Sequence, residues 1–275
     1  MRIGAKSLFK LLHPLVAVIA FAAAGLAHAL ELPPQSELQK RLSHKPGTVS
    51  VVEPHLSTKA KPVRVDYVGY PAAQVLDALF GADWKADGMD IEFRALDGYV
   101  SRIPNQRFRQ YRAYLVFQRK GQDRFEVDNI LQNEKRVALG PYYLVWDNIR
   151  SPALIAEGGS FWPYQISQIS VSGSRLNALL PGDMRTRYAE HAALAQKLCL
   201  SCHQVNGHGG DKMPINLAAS VKALDEAAFM NWVLTPRTVK PGTTMPALSE
   251  TMPQAQRQAT ARKLYEYLKA VPVAR

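Results

Sequence analysis

Cysteine is nearly absent from this chain. Its 275 residues contain two, Cys199 and Cys202, so no set of disulfides can link distant parts of the sequence. Acidic residues are missing from the first 29 positions, where Arg2, Lys6 and Lys10 are followed by an apolar run at 11–26 and the tripeptide AHA at 27–29. That order of positive charge, apolar core and small-x-small site is the pattern of a secretory signal peptide, with cleavage expected after Ala29. No cysteine follows the cleavage site, which excludes lipid attachment of the bacterial lipoprotein kind. Long hydrophobic runs are also lacking. The N-terminal run is about 16 residues, interrupted early by His13 and Pro14, and falls short of the ~20 needed to span a bilayer. The expectation is a periplasmic protein that does not span the membrane after cleavage. No Ser/His/Asp triad, paired-carboxylate site or phosphate-binding glycine loop can be identified. Cleavage removes three bases and no acid, so the net charge falls from +11 to +8. A positive surface favours acidic partners. Without a basic-aromatic motif it does not point to nucleic acid.

The two cysteines stand three positions apart in "KLCLSCHQVNGHGG", with His203 directly behind them. A bare C-x-x-C could be a redox-active pair. C-x-x-C-H is the attachment sequence of c-type haem. Two thiols at this spacing add to the two porphyrin vinyl groups, and the next residue supplies its imidazole to the iron. Cys199 and Cys202 are thus candidate anchors of one covalent haem c, with His203 the candidate proximal ligand.

The flanking sequence reads as helices. From Asp183, a candidate N-cap, Tyr188, Ala192, Ala195 and Leu198 recur at helical spacing up to Cys199. "LDEAAFMNWVLTP" brings Phe229, Trp232 and Val233 to one face and ends at Pro236. "PQAQRQATARKLYEYLKAV" turns Leu264, Tyr267, Leu268 and Val271 inward. Between these two lies "KPGTTMPALSE", with Met245 on a Pro/Gly-bounded loop. On the C-x-x-C-H and "GTTMPAL" positions, residues 183–275 resemble a class I cytochrome c domain. The resemblance implies an all-α domain and makes Met245 the distal iron ligand, so that both axial positions are filled. Met213, Met252 and His208 are rivals for that position, and each also reads as a core or loop residue. Trp232 and Tyr267 read as packing around the haem.

The preceding residues read differently. After a polar arm from Leu30, "PAAQVLDALFGAD" is a short helix with Pro71 in its first turn. "DIEFRA" alternates as a half-buried strand, and "DGY" at 97–99 is a turn. "YLVFQRK-GQD-RFEVDN" reads as a hairpin around Gly121. "YYLVWDNI" and "YQISQISV" read as further strands. Taken with "VDYVGYPAAQVLDALFG", "IEFRALDGYVSRIP" and "FWPYQISQISV", this region resembles the molybdopterin-binding domain of sulfite-oxidase-type oxidoreductases. That family ligates molybdenum through a cysteine thiolate, and no cysteine exists here outside the haem motif, so a molybdopterin cofactor is not expected. The expected fold is multidomain: a mixed, mainly β (α+β) N-terminal domain at 30–175, a linker at 176–182, and an all-α class I cytochrome c domain at 183–275. The basic stretch 102–124 (Arg102, Arg107, Arg109, Arg112, Arg119, Lys120, Arg124) reads as a solvated face or as a patch for an acidic partner or anionic ligand. His44, His55 and His191 read as surface or core histidines. The expected function is single-electron transfer to or from a redox partner protein, with the N-terminal domain docking that partner. The alternatives are a haem relay in a sulfite-oxidase-like oxidoreductase, or a haem sensor of small ligands.

Overall fold

The computed structural model describes residues 29–274; the expected signal peptide lies almost entirely outside them. Ten strands come first: β1 (Leu30–Glu31), β2 (Gly47–Val52), β3 (Arg64–Pro71), β4 (Met89–Ala95), β5 (Val100–Pro104), β6 (Ala113–Arg119), β7 (Glu126–Asn129), β8 (Glu134–Ala138), β9 (Tyr143–Trp146) and β10 (Ile166–Gly173). Helices α1 (Gln35–Arg41), α2 (Ala72–Phe80) and α3 (Asn105–Gln110) lie among them. The strands form two four-stranded antiparallel sheets, ordered β1-β10-β4-β5 and β2-β3-β6-β9, and a small ladder of β7 with β8. Alternation explains the faces: Ile91, Phe93 and Ala95 of β4 are buried, and Ile91 stands opposite Val171 of β10. One buried cluster draws on both large sheets, with Phe93, Phe108, Tyr143 and Trp146 among its members. Each fully buried ring or aliphatic side chain contributes roughly 1.5–3 kcal/mol.

The rest of the chain holds helices α4 (Met184–Leu198), α5 (Leu217–Ser220), α6 (Glu226–Leu234), α7 (Pro236–Val239) and α8 (Gln254–Ala270), and α4, α5, α6 and α8 contribute to a second buried cluster. Helix α8 packs on α4 and α6. It presents Leu264, Tyr267 and Leu268, all fully buried, and Val271 just beyond its end is buried with them. In α4 the expected stripe is realised by Ala192 and Ala195, both fully buried, flanked by half-buried Tyr188 and Leu198. Asp225 caps α6 by accepting from the Ala228 amide at 2.7 Å, whereas the Asp183 side chain makes no such bond to α4.

Three expectations are corrected. The chain is a mixed α/β structure with several sheets, not a mainly β domain followed by an all-α cytochrome domain. The segment expected to be all-α holds its own antiparallel ladder, β11 (Gln204–Val205) with β12 (His208–Gly209), and of its helices only α4 and α8 exceed nine residues. The cause is local. Asn206 and Gly207 both adopt positive φ, 51° and 83°, the requirement of the tight turn that closes a two-residue hairpin. Pro214, Pro236, Pro241 and Pro246 keep the intervening helices short. Second, β6 and β7 are not a hairpin: β6 is flanked by β3 and β9, and β7 pairs with β8. Both edges of β6 are therefore already taken. Third, the basic stretch is not a free patch throughout. Arg107 is bonded to Glu157 at 2.8 Å and lies over the Trp146 and Phe161 rings, and Arg102 pairs with Glu92 at 2.9 Å. Residues 176–182, read from sequence as a linker, include a short 3-10 turn whose Leu179 is buried in the second cluster together with Leu180.

No helix among the described residues is long and apolar enough to cross a membrane.

Candidate functional site

Helix α4 ends at the cysteines. The amides of Cys199 and Leu200 donate to the carbonyl of Ala195, and those of Cys202 and His203 donate to the carbonyl of Cys199, so the C-x-x-C-H residues form one tight turn continuing the helix. Both thiols are free. Burial pushes Cys199 up to about 12 and Cys202 up to about 11, the opposite of the lowered value of a nucleophilic thiol.

The chain then folds back across this turn. The Gly210 amide donates to the Leu200 and His203 carbonyls, and a Cβ on Gly210 would stand 2.1 Å from the Ser201 oxygen. The close approach is possible because position 210 has no side chain. His203 is half-buried, and its Nδ1 donates to the Met213 carbonyl at 3.0 Å. Burial lowers the ring's pKa, with the Met213 bond acting in the opposite sense, and Nε2 is left as the second ring nitrogen. Fixing one imidazole nitrogen on a backbone carbonyl is how an iron- or zinc-binding histidine is oriented. The free thiol pair and the anchored imidazole fit a covalently attached haem.

Met245 is half-buried and packs, like Cys199, against the second cluster. Its loop is tied down: the Leu248 amide donates to the Val233 carbonyl at 2.9 Å, and Arg257 donates to the carbonyls of Leu248 and Leu234, each at 2.7 Å. The rivals are placed otherwise. Met213 lies in the loop that supports His203, with its side chain 48% exposed. His208 is exposed on β12. The Met252 sulfur accepts from Thr260 at 3.8 Å. Tyr267 is fully buried and donates to the Leu179 carbonyl at 2.8 Å, and Trp232 is half-buried.

The two halves of the chain meet at the cysteine turn. The Val100 amide donates to the Ser201 carbonyl and the Asp211 amide to the Gly98 carbonyl, so the "DGY" turn is zipped to the C-x-x-C-H segment. Lys212 pairs with Asp97 at 2.9 Å, and Arg94 pairs with Asp211 at 3.1 Å. Lys197 of α4 reaches Glu157 at 2.7 Å, beside Arg107. Burial acts to raise Glu157, but the two cations hold its carboxyl below the usual range.

Between these contacts lies a cavity of about 120 Å³, open to solvent on one side. Leu198, Cys202 and Pro246–Leu248 form one side, and His55, Tyr99, Trp162 and Tyr164 belong to the other. Cys199, His203 and Met245 are not on its wall. The cavity therefore abuts the second cysteine of the C-x-x-C-H segment.

His55 is the residue whose importance sequence reading underrated. It is 6% exposed, and its Nδ1 lies 2.7 Å from Glu53 Oε1 and 3.1 Å from the Tyr143 hydroxyl. Glu53 is fully buried and also accepts from the Tyr67 hydroxyl at 2.8 Å and the Tyr143 hydroxyl at 2.9 Å. Burial acts to raise Glu53, but the hydrogen bond and charge of His55, with the Tyr67 hydroxyl, hold it below the usual carboxylate range. "EPH" at 53–55 was the only signal in the sequence; the two tyrosines that complete the cluster are 14 and 90 residues away from Glu53. Among the described residues no three His, Cys, Asp or Glu side chains gather as a site for a bare metal ion.

Comparison with protein-family models finds no match, and comparison with curated proteins finds none either.

Proposed function

We propose that this chain is an exported haem c protein that passes single electrons, with Cys199 and Cys202 holding the porphyrin and His203 and Met245 as its axial ligands. The observation that carries the reading is the turn at the end of α4, where two free thiols precede an imidazole whose Nδ1 is bonded to the Met213 carbonyl. A haem held there by Cys199, Cys202, His203 and Met245 would supply a reversible one-electron couple. The protein's own part is to hold the ring of His203 in one orientation, to keep the Met245 loop anchored through Arg257, and to exclude water through the packing of α8 on α4 and α6. A redox partner protein docks on the surface formed by the N-terminal residues.

The test is an optical spectrum of the protein made with haem-maturation machinery, taken in both oxidation states, with metal analysis of the same sample. Sharp reduced bands, a weak long-wavelength sulfur-to-iron band in the oxidised form, and iron as the sole stoichiometric metal are expected. A high-spin oxidised spectrum removes Met245 from the iron. Stoichiometric molybdenum overturns the reading in favour of a sulfite-oxidase-like relay.

A further inference from the structure

Residues 210–213 run past the cysteine turn and are held from two sides. The ends bond back onto the turn: the Gly210 amide donates to the Leu200 and His203 carbonyls, and the Met213 amide donates to the Cys202 carbonyl at 2.9 Å. The middle bonds to the N-terminal half. The Asp211 amide donates to the Gly98 carbonyl at 2.8 Å, and the Asp211 carboxylate pairs with Arg94 at 3.1 Å. The Lys212 ammonium lies 2.9 Å from Asp97 and 6.0 Å from the centroid of the Tyr164 ring.

The "DGY" turn is itself fixed. The Asp97 oxygen not used by Lys212 accepts from the Tyr99 amide at 3.0 Å. Gly98 has φ of 85°, and an added Cβ would stand 3.0 Å from the backbone of Asp211 and Lys212, so the two segments touch backbone to backbone. Lys212 and Asp97 are only 18% and 30% exposed, which lets the pair hold one geometry better than a fully solvated pair does. One residue beyond Lys212 is the Met213 carbonyl, the acceptor of His203 Nδ1. Such an acceptor orients a ligating imidazole and makes it more basic.

We propose that the "DGY" turn is a positioning element for His203: Asp97 acting on Lys212, and Gly98 acting on Asp211, fix the Met213 carbonyl that orients the imidazole. The N-terminal half thereby sets the reduction potential of the haem, a role separate from docking a partner. This inference rests on the haem c reading. A more basic imidazole favours oxidised iron, so loosening the Met213 carbonyl raises the potential.

The experiment compares Asp97→Asn, Lys212→Gln, Gly98→Ala and Lys212→Arg with wild type. Each is the full mature protein with haem attached, checked for folding by circular dichroism. Two quantities are read: solvent exchange of the His203 Nδ1 proton by NMR in the reduced form, and the midpoint potential. Asp97→Asn, Lys212→Gln and Gly98→Ala are each expected to speed exchange about tenfold or more and to raise the potential. Lys212→Arg keeps the cation and is expected to match wild type. The direction separates positioning from charge. Loss of a positive charge at 212 by itself lowers the potential, loss of a negative charge at 97 by itself raises it, and Gly98→Ala changes no charge. The proposal is overturned by potentials that move in opposite directions in Asp97→Asn and Lys212→Gln. Unchanged exchange in any of the first three variants, or Lys212→Arg as perturbed as Lys212→Gln, also overturns it. A wild-type chain that takes no covalent haem ends the carrier reading instead. Exchange of the same proton in that chain still tests the clamp, and equal rates in wild type and Lys212→Gln overturn it.

Discussion

His203 and Met213 bind each other through a side chain and a backbone: the imidazole Nδ1 donates to the Met213 carbonyl across 3.0 Å. The Met213 amide in turn donates to the Cys202 carbonyl at 2.9 Å. The ring is thus oriented by the chain that immediately follows it, before any ligand is bound. Because the acceptor is a backbone atom, the side chain at 213 is not needed for this bond.

That separates two methionines experimentally. Met213→Ala is expected to leave the oxidised and reduced spectra of the haem-loaded protein unchanged. Met245→Ala is expected to lose the sulfur-to-iron band, turn high-spin and bind CO. Wild-type protein that binds CO as readily as Met245→Ala contradicts the assignment of Met245.

Covalent attachment is tested apart from ligation. The double variant Cys199→Ser/Cys202→Ser is expected to lose haem staining on a denaturing gel, while either single variant keeps one thioether and a weaker stain. Haem that remains with the double variant under denaturing conditions would place the attachment elsewhere.

Gly210 has no room for a side chain. The Ser201 carbonyl would lie 2.1 Å from an added Cβ, so Gly210→Ala forces the backbone of the cysteine turn to move. A loss of about 2 kcal/mol or more is expected in denaturant unfolding, with a lower yield of attached haem. Stability equal to wild type means that the loop lies differently from the close approach described.

Glu157 makes stability depend on pH. Its folded carboxyl sits below the ordinary value because of Lys197 and Arg107. A carboxyl lowered in this way adds stability that is present above its unfolded pKa and is lost as pH falls through the folded one. Arg107 is only 13% exposed, so Glu157→Gln leaves a cation poorly compensated over Trp146 and Phe161 and costs about 2–3 kcal/mol at pH 7. The difference between wild type and variant is expected to shrink below about pH 4.3. A pH-independent difference excludes the charge as its cause.

Tyr143 donates to a fully buried carboxylate at 2.9 Å. Tyr143→Phe is expected to cost about 1.5–3 kcal/mol, the range for hydrogen bonds to charged groups. An unchanged unfolding midpoint shows that Glu53 is satisfied by Tyr67 and His55 alone.

Local chemistry was legible in the chain. Pro71 before α2, the alternation of β4 and the apolar spacing in α8 are short-range rules, and the structure follows them; the cap expected at Asp183 does not form, and the one that does, Asp225 on α6, was not read from the sequence. Partnership was not. The run after Gly121 looks like the second arm of a hairpin, yet β6 finds β3 and β9 instead, because strand pairing is decided by which edges remain free once the sheet assembles. The β11–β12 ladder closed by Asn206 and Gly207 left no mark in the pattern either, because two-residue strands are too short to show alternation.

What the sequence determined by itself is the adjacency of Cys199, Cys202 and His203, since spacing within one turn needs no tertiary contact. Tertiary structure alone decided that the "DGY" turn is bonded to that motif and that Met245 packs on the same cluster as Cys199. It also decided that Glu53, His55, Tyr67 and Tyr143 close into one buried network. A buried carboxylate must collect its donors from whatever strands lie beside it, and which strands those are is a property of the assembled sheets.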